Sequence, residues 1–178
     1  MSDLLAEQYR TLSRYNSWMN AKIYERAASL GDEERRRDLG AFFRSVHGTL
    51  NHLLLADRIW MGRFTGRPEE FASKDATGEV IPFQSLAQEL YADFDQLRAE
   101  RAATDAQIEE YCATLDAAAL AAPLRYRMTS GVANDHPLWW ALTHFFNHQT
   151  HHRGQASALL TRLGADVGVT DFIAFLRS

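Results

Sequence analysis

HPLWWALTHFFNHQTHHRGQASALLTRLG, residues 136 to 164, is the stretch that decides the fold. It opens on Pro137 at an early helical position and stops at Gly164, the usual boundary signals of one long helix. On a wheel of about 100° per residue, Leu138, Leu142, Phe145, Ala156, Leu160 and Leu163 gather on one side, which must face a core.

Three more stretches have the same character, with the breakers between them rather than inside them. The first runs from about Ser2 to Leu30, the second from Asp38 to Phe64, and the third from Pro82 to about Thr104, where Asp105 is placed to cap a further turn. No segment of comparable length alternates, so the expected class is all-α, a four-helix bundle. Residues 65–81 form a crossover loop too long for a tight helical hairpin, so neighbours in sequence need not be neighbours in space. Weak alternation over Pro123–Asn134, around Ser130-Gly131, predicts a small β-hairpin before the last long helix. The tail GVTDFIAFLRS predicts a short C-terminal helix capped by Thr170 or Asp171.

The 178 residues are the length of one domain, expected over 1–178, with no internal repeat. Hydrophobic residues at 46% and charged residues at 24% are those of an ordinary folded protein. A net charge of −4 argues against a broad nucleic-acid surface; the one charged run, Glu33 to Arg37, is of mixed sign. Asp3 and Glu7 interrupt the start, so no signal peptide and no membrane span are expected and the protein is placed in the cytoplasm. A single cysteine, Cys112, excludes an internal disulfide, and its neighbours Glu109, Glu110 and Tyr111 disfavour a thiolate.

Four of the seven histidines fall within residues 144–152. His152 lies roughly 30° and His148 roughly 70° from the centre of the apolar stripe, whereas His144 and His151 lie more than about 100° away. The inward pair, four residues apart, can converge on one ion, and an apolar core must otherwise satisfy two neighbouring polar rings. A third ligand has to come from a facing helix, and SVHGTLNHLLLADRIW offers His47 and His52. The stripe Phe43, Val46, Leu50, Leu54, Asp57, Met61 puts His47 nearer the apolar face. Leu53-Leu54-Leu55 makes the helix apolar on more than one side, so His52 stays open.

Among other residues, Asn16, Trp18 and Asn20 read as helix packing and interhelical hydrogen bonding. Arg153 and Gln155 either orient an anion or pair helices, and Asp57 is placed to support a ligand from behind. Gly154 is expected to let a neighbouring helix approach closely. Trp60, Trp139 and Trp140 read as core or interface anchors, and His136 and His151 as solvated.

RYNSWMNAKIY, TLNHLLLADRIW, HFFNHQTHHRGQ and the closing DFIAFL, in that order along nearly the whole chain, resemble the DinB family of the DinB/YfiT-like metalloprotein superfamily. The name comes from damage-inducible genes and does not imply the unrelated translesion polymerase. The resemblance implies a four-helix bundle, a homodimer, and a divalent ion such as zinc or nickel held by three histidines and solvent. Residue by residue, these are His52 of TLNH and the pair His148 and His152 before RGQ. Characterised branches of the superfamily include enzymes that use low-molecular-weight thiols such as bacillithiol or mycothiol. The resemblance therefore implies a metal-dependent thiol S-transferase, or a hydrolase using metal-activated water, acting on a small-molecule substrate with no nucleic-acid or membrane partner. The rival is a non-catalytic metal-binding stress protein whose ion stabilises the bundle or dimer.

Overall fold

The computed structural model describes residues 3–177. In chain order the elements are α1 (Asp3–Ala28), α2 (Asp32–Arg36), α3 (Val46–Thr65), a 3-10 turn (Pro68–Phe71), α4 (Phe94–Ala113), α5 (Ala117–Ala121), β1 (Pro123–Arg127), β2 (Ala133–Pro137), α6 (Leu138–Arg162) and α7 (Phe172–Phe175). The fold is mostly helical, with one antiparallel two-stranded sheet among the described residues. Among the described residues, no helix is long and apolar enough to cross a membrane.

Four long helices carry the core: α1 packs against α4 and α6, and α3 packs against the same two. Buried apolar residues form two clusters. One joins Met19, Ile23, Leu50, Leu54, Leu97 and Leu160; the other joins Tyr9, Met61, Ile108, Leu120, Leu142 and Phe145. Along α1 and α6 the chain passes from the second cluster to the first, and along α3 and α4 from the first to the second. The long crossover between α3 and α4 is the physical consequence, because two successive helices pointing the same way cannot be joined by a short turn.

Several expected boundaries shift, each for a local reason. Ser2, the expected start of the first helix, lies outside the described residues, and that helix ends at Ala28 rather than Leu30. The second long helix begins at Val46 instead of Asp38: Arg44 takes a left-handed φ of 67°, and the Ser45 side chain caps the new start by accepting from the Gly48 N–H at 3.0 Å. The third starts at Phe94 rather than Pro82 and continues to Ala113. Asn51 explains part of this, since its Oδ1 accepts the N–H groups of Leu90 (2.8 Å) and Tyr91 (2.9 Å), and Asp93 then caps α4 through Gln96 N–H at 2.7 Å. The hairpin is present and extends to Pro137, which therefore precedes α6 instead of lying inside it. Asp171 precedes the short α7, as one of the two expected caps, without a side-chain capping bond.

Between the two apolar clusters lies a buried polar layer to which all four long helices contribute: Asn16 and Asn20, Asp57, Arg101 and Asp105, Gln149 and Arg153. Arg101 donates to Asp57 at 2.6 Å and lies 2.8 Å from Asp105 Oδ1, an ion pair whose alignment falls short of a hydrogen bond. Asp105 also accepts from Asn16 Nδ2 and Asn20 Nδ2, each at 2.9 Å. Arg153 donates to Asn16 Oδ1 and lies over the Tyr15 ring. Two carboxylates and two guanidiniums balance, which is how charge is tolerated at 1–6% exposure. Removing one partner leaves charge uncompensated: Arg101→Leu should lower the unfolding free energy by about 3–5 kcal/mol, read from urea denaturation.

Candidate metal centre

One ring nitrogen from each of His52, His148 and His152 lies within 4.8 Å of the others, and no Cys, Asp, Glu or further His joins them among the described residues. His52 comes from α3, while His148 and His152 are stacked one turn apart on α6, with ring centroids 4.4 Å apart. His52 Nε2 faces His148 Nε2 at 3.3 Å.

Two outer contacts set which nitrogens face inward. The His52 Nδ1–H donates to the Leu86 carbonyl at 2.8 Å, and the His152 Nδ1–H donates to Gln155 Oε1 at 2.7 Å. Both rings are left with an Nε2 lone pair. His148 brings at most one N–H to share between them, and its Nδ1 is buried without a partner. Three electron-rich nitrogens with too few protons among them suit a divalent cation.

The rings are held neutral. Burial, offset in part by the Leu86 bond and reinforced by His152, brings the His52 pKa down to about 4. Burial and the neighbouring His152 and His52 bring His148 down to about 3, and burial also lowers His152. Proton competition for a cation is therefore weak at neutral pH.

Sequence-adjacent elements position these rings. Phe43, from the segment before α3, stacks on His52 with centroids 3.8 Å apart and meets His152 edge-on at 5.4 Å. Gly48 makes room for that segment: a Cβ there would lie 2.3 Å from the Phe43 carbonyl oxygen. Asn51 fastens residues 90 and 91 to α3, and so the crossover that carries the Leu86 carbonyl. Of these supports only Gln155 stood out in the sequence. Phe43 was visible only as a stripe residue, Asn51 only as a letter of TLNH, and a backbone carbonyl leaves no sequence signal at all.

Other candidate residues fall elsewhere. His47, which the wheel favoured, is buried away from the cluster with its Nε2 on the Tyr91 carbonyl at 2.9 Å. Asp57 hydrogen-bonds Arg101 instead of a histidine of the cluster. Gly154 has nothing within 4 Å of a built Cβ, so no helix approaches it closely. Arg153 pairs helices. Trp139 and Trp140 are exposed, which removes a core role, and Trp60 packs half-buried against Phe64, Tyr126 and His144. His136 is half-buried beside the Tyr126 hydroxyl at 3.2 Å rather than solvated, whereas His151 is exposed. Cys112 is buried outside the histidine cluster, and burial pushes its thiol up to about 12, which disfavours a thiolate.

The depressed histidines make a testable sign. Between the unfolded value near 6.5 and the folded values of about 4 and about 3, the unfolded chain binds more protons, so stability falls as pH drops through that window. Asp105, raised to about 6 mainly by burial, acts in the opposite direction. Comparing chelated wild type with His148→Gln isolates the histidine part: the variant should lose less stability than wild type between pH 7 and pH 5, measured by urea unfolding.

The DinB family model matches residues 1–178. Protein DinB of Bacillus subtilis (strain 168) is 28% identical over 178 residues, covering 99% of this chain and 95% of that protein. The crystal structure of a DinB-like protein from Bacillus cereus ATCC 10987 superposes with a TM-score of 0.59 at 15% identity, over 93% of each chain, a likeness of fold. With three histidines converging on a fold shared with a DinB-like protein, and the family model spanning every residue, the chain belongs to the DinB family.

Proposed function

We propose that residues 1–178 form one four-helix-bundle domain that binds a divalent ion, zinc or nickel, through His52, His148 and His152, and that it acts as a metal-dependent enzyme on a small molecule. The single observation that carries this reading is the incomplete donor set. Three imidazoles and no fourth protein donor among the described residues describe an open site, whereas closed structural sites supply four ligands. His148 is only partly buried, while His52 and His152 are buried.

An ion there would supply Lewis acidity toward a thiol or a water molecule. The chain's own residues do the rest. Leu86 and Gln155 hold the two Nδ1 protons and keep the His52 and His152 rings turned the right way. Phe43 excludes water from one side of His52. No acid or base outside the cluster is required for a thiol S-transferase using a low-molecular-weight cosubstrate, and Cys112 is too buried to compete with an external thiol. A hydrolase reaction uses the same donor set.

One observation favours the second reading, a stress-response protein without turnover: the three histidines tie α3 to α6, so an ion would also brace two of the four long helices. Elemental analysis of untagged protein tests the ion first. About one ion per chain is expected, lost in His52→Ala and retained in His47→Ala. Thiol consumption with an electrophilic acceptor then tests turnover. Activity that survives His148→Ala together with His152→Ala sinks the enzymatic assignment, and an ion without activity favours the bracing role.

A homodimer would bury the exposed indoles of Trp139 and Trp140 at the start of α6. Trp140→Glu should shift sedimentation from dimer to monomer without changing the ion content.

A further inference from the structure

A second concavity lies beside the three histidines, outside the cluster itself. It is a cleft of about 540 Å3 between α3, the crossover segment and the β-hairpin. Leu55, one turn beyond His52, lines it, as do Phe83 and Gln88, which flank the Leu86 whose carbonyl holds His52.

Its lining has an unusual balance. Val80, Phe83 and Met128 are large apolar side chains with 57%, 50% and 47% of their surface exposed, and all three converge on the cleft. The charged side chains on its wall are Arg58, Arg63, Arg125 and Arg127, with no carboxylate among them, in a chain whose net charge is −4. Arg58 is neutralised by Glu100, and Arg125 pairs with Asp135 at 2.9 Å. Arg63 and Arg127 have no ion-pair partner among the described residues.

Arg63 is the better placed of the two. Its guanidinium lies over the Trp60 ring at 4.6 Å and the Tyr126 ring at 4.9 Å, one from α3 and one from β1, so two aromatic faces fix it in the wall. Arg63 is half-buried and fixed by two rings, and with no ion-pair partner among the described residues its N–H donors remain available to an incoming acceptor. On its other side stands His144, whose ring is 5.1 Å from Trp60 and 5.9 Å from His148.

We propose that this cleft binds a small amphipathic anion, with a carboxylate, sulfonate or phosphate on the Arg63 guanidinium and an apolar body against Val80, Phe83 and Met128. Charge complementarity selects the anion, since the cleft offers an unpaired cation and no acid. Exposed apolar surface selects the body, since water is displaced from three large side chains at once. The site goes beyond the ion reading and does not require the ion.

Titration calorimetry with decanoate below its micellar range, decanol and decyltrimethylammonium tests it on the purified chain. Decanoate is expected to bind more tightly than decanol, and decyltrimethylammonium to bind least. Arg63→Gln should weaken decanoate by about tenfold or more while leaving decanol unchanged, the size of one charge-assisted hydrogen bond. Should Arg63→Gln fail to fold, Val80→Glu on the exposed crossover places an acid in the cleft and should weaken decanoate selectively. Equal binding of decanoate and decyltrimethylammonium, or decanoate affinity unmoved by either substitution, overturns the proposal. Binding should persist in EDTA, so failure of the three-histidine reading and failure of this one give different results.

Discussion

Arg101 is the residue on which the architecture turns. It is 2% exposed, and it reaches Asp57 on α3 while standing beside Asp105 one turn along its own helix. Burial alone would pull its pKa down, but Asp105 and Asp57 outweigh burial and hold the guanidinium charged. A charge in that place demands partners, and the partners come from all four long helices: Asn16 and Asn20 on α1 brace Asp105, and Arg153 on α6 closes onto Asn16. An apolar layer of the same volume would give comparable stability, but it would tolerate sliding of one helix past another. Paired charges penalise such a slip, because each displaced group would be buried without its counterpart.

The same layer explains how α6 serves two purposes over one turn. His148 and His152 form one pair four residues apart, and Gln149 and Arg153 form another, rotated about 100° around the helix. The first pair turns toward His52 on α3, and Arg153 of the second turns toward Asn16 on α1. Fixing Arg153 in the charge layer therefore also fixes the angle at which the histidines are presented. The mean plane of the layer separates two apolar clusters, so the histidine cluster sits at mid-height in the helices rather than at an end.

Support for the histidines is built largely from segments that are not helical. The crossover after α3 is tied down by Asn51, and that fastening delivers the Leu86 carbonyl to His52. The segment before α3 reverses at Arg44 and lays Phe43 on the same ring, an arrangement that Gly48 permits. These two loops also account for the misplaced helix starts. Residues 38–45 and 82–93 carry enough apolar and helix-forming residues to read as helix, yet Asn51 takes the N–H groups of Leu90 and Tyr91, and residues 38–45 turn back on themselves with Leu39 N–H on the Arg44 carbonyl and Gly40 N–H on Asp38 Oδ1. The wheel on α3 placed His47 toward the core, where it lies, but its Nε2 takes the Tyr91 carbonyl, a contact that exists only because the crossover folds back.

What the sequence determined by itself was local and periodic: the helical class, the inward pair at 148 and 152, the hairpin at 123, the inert Cys112, and the motif letters that mark the family. Those follow from spacing and residue type, which act over a few residues. Periodicity left His47 and His52 open and only the family motif pointed to His52; that Asp57 serves Arg101, that Gly154 faces nothing nearby and that Arg63 is left without an anion were decided by tertiary structure. Each depends on how groups far apart in sequence compete for the same buried partners, and a buried polar group takes whichever partner the packing brings within reach.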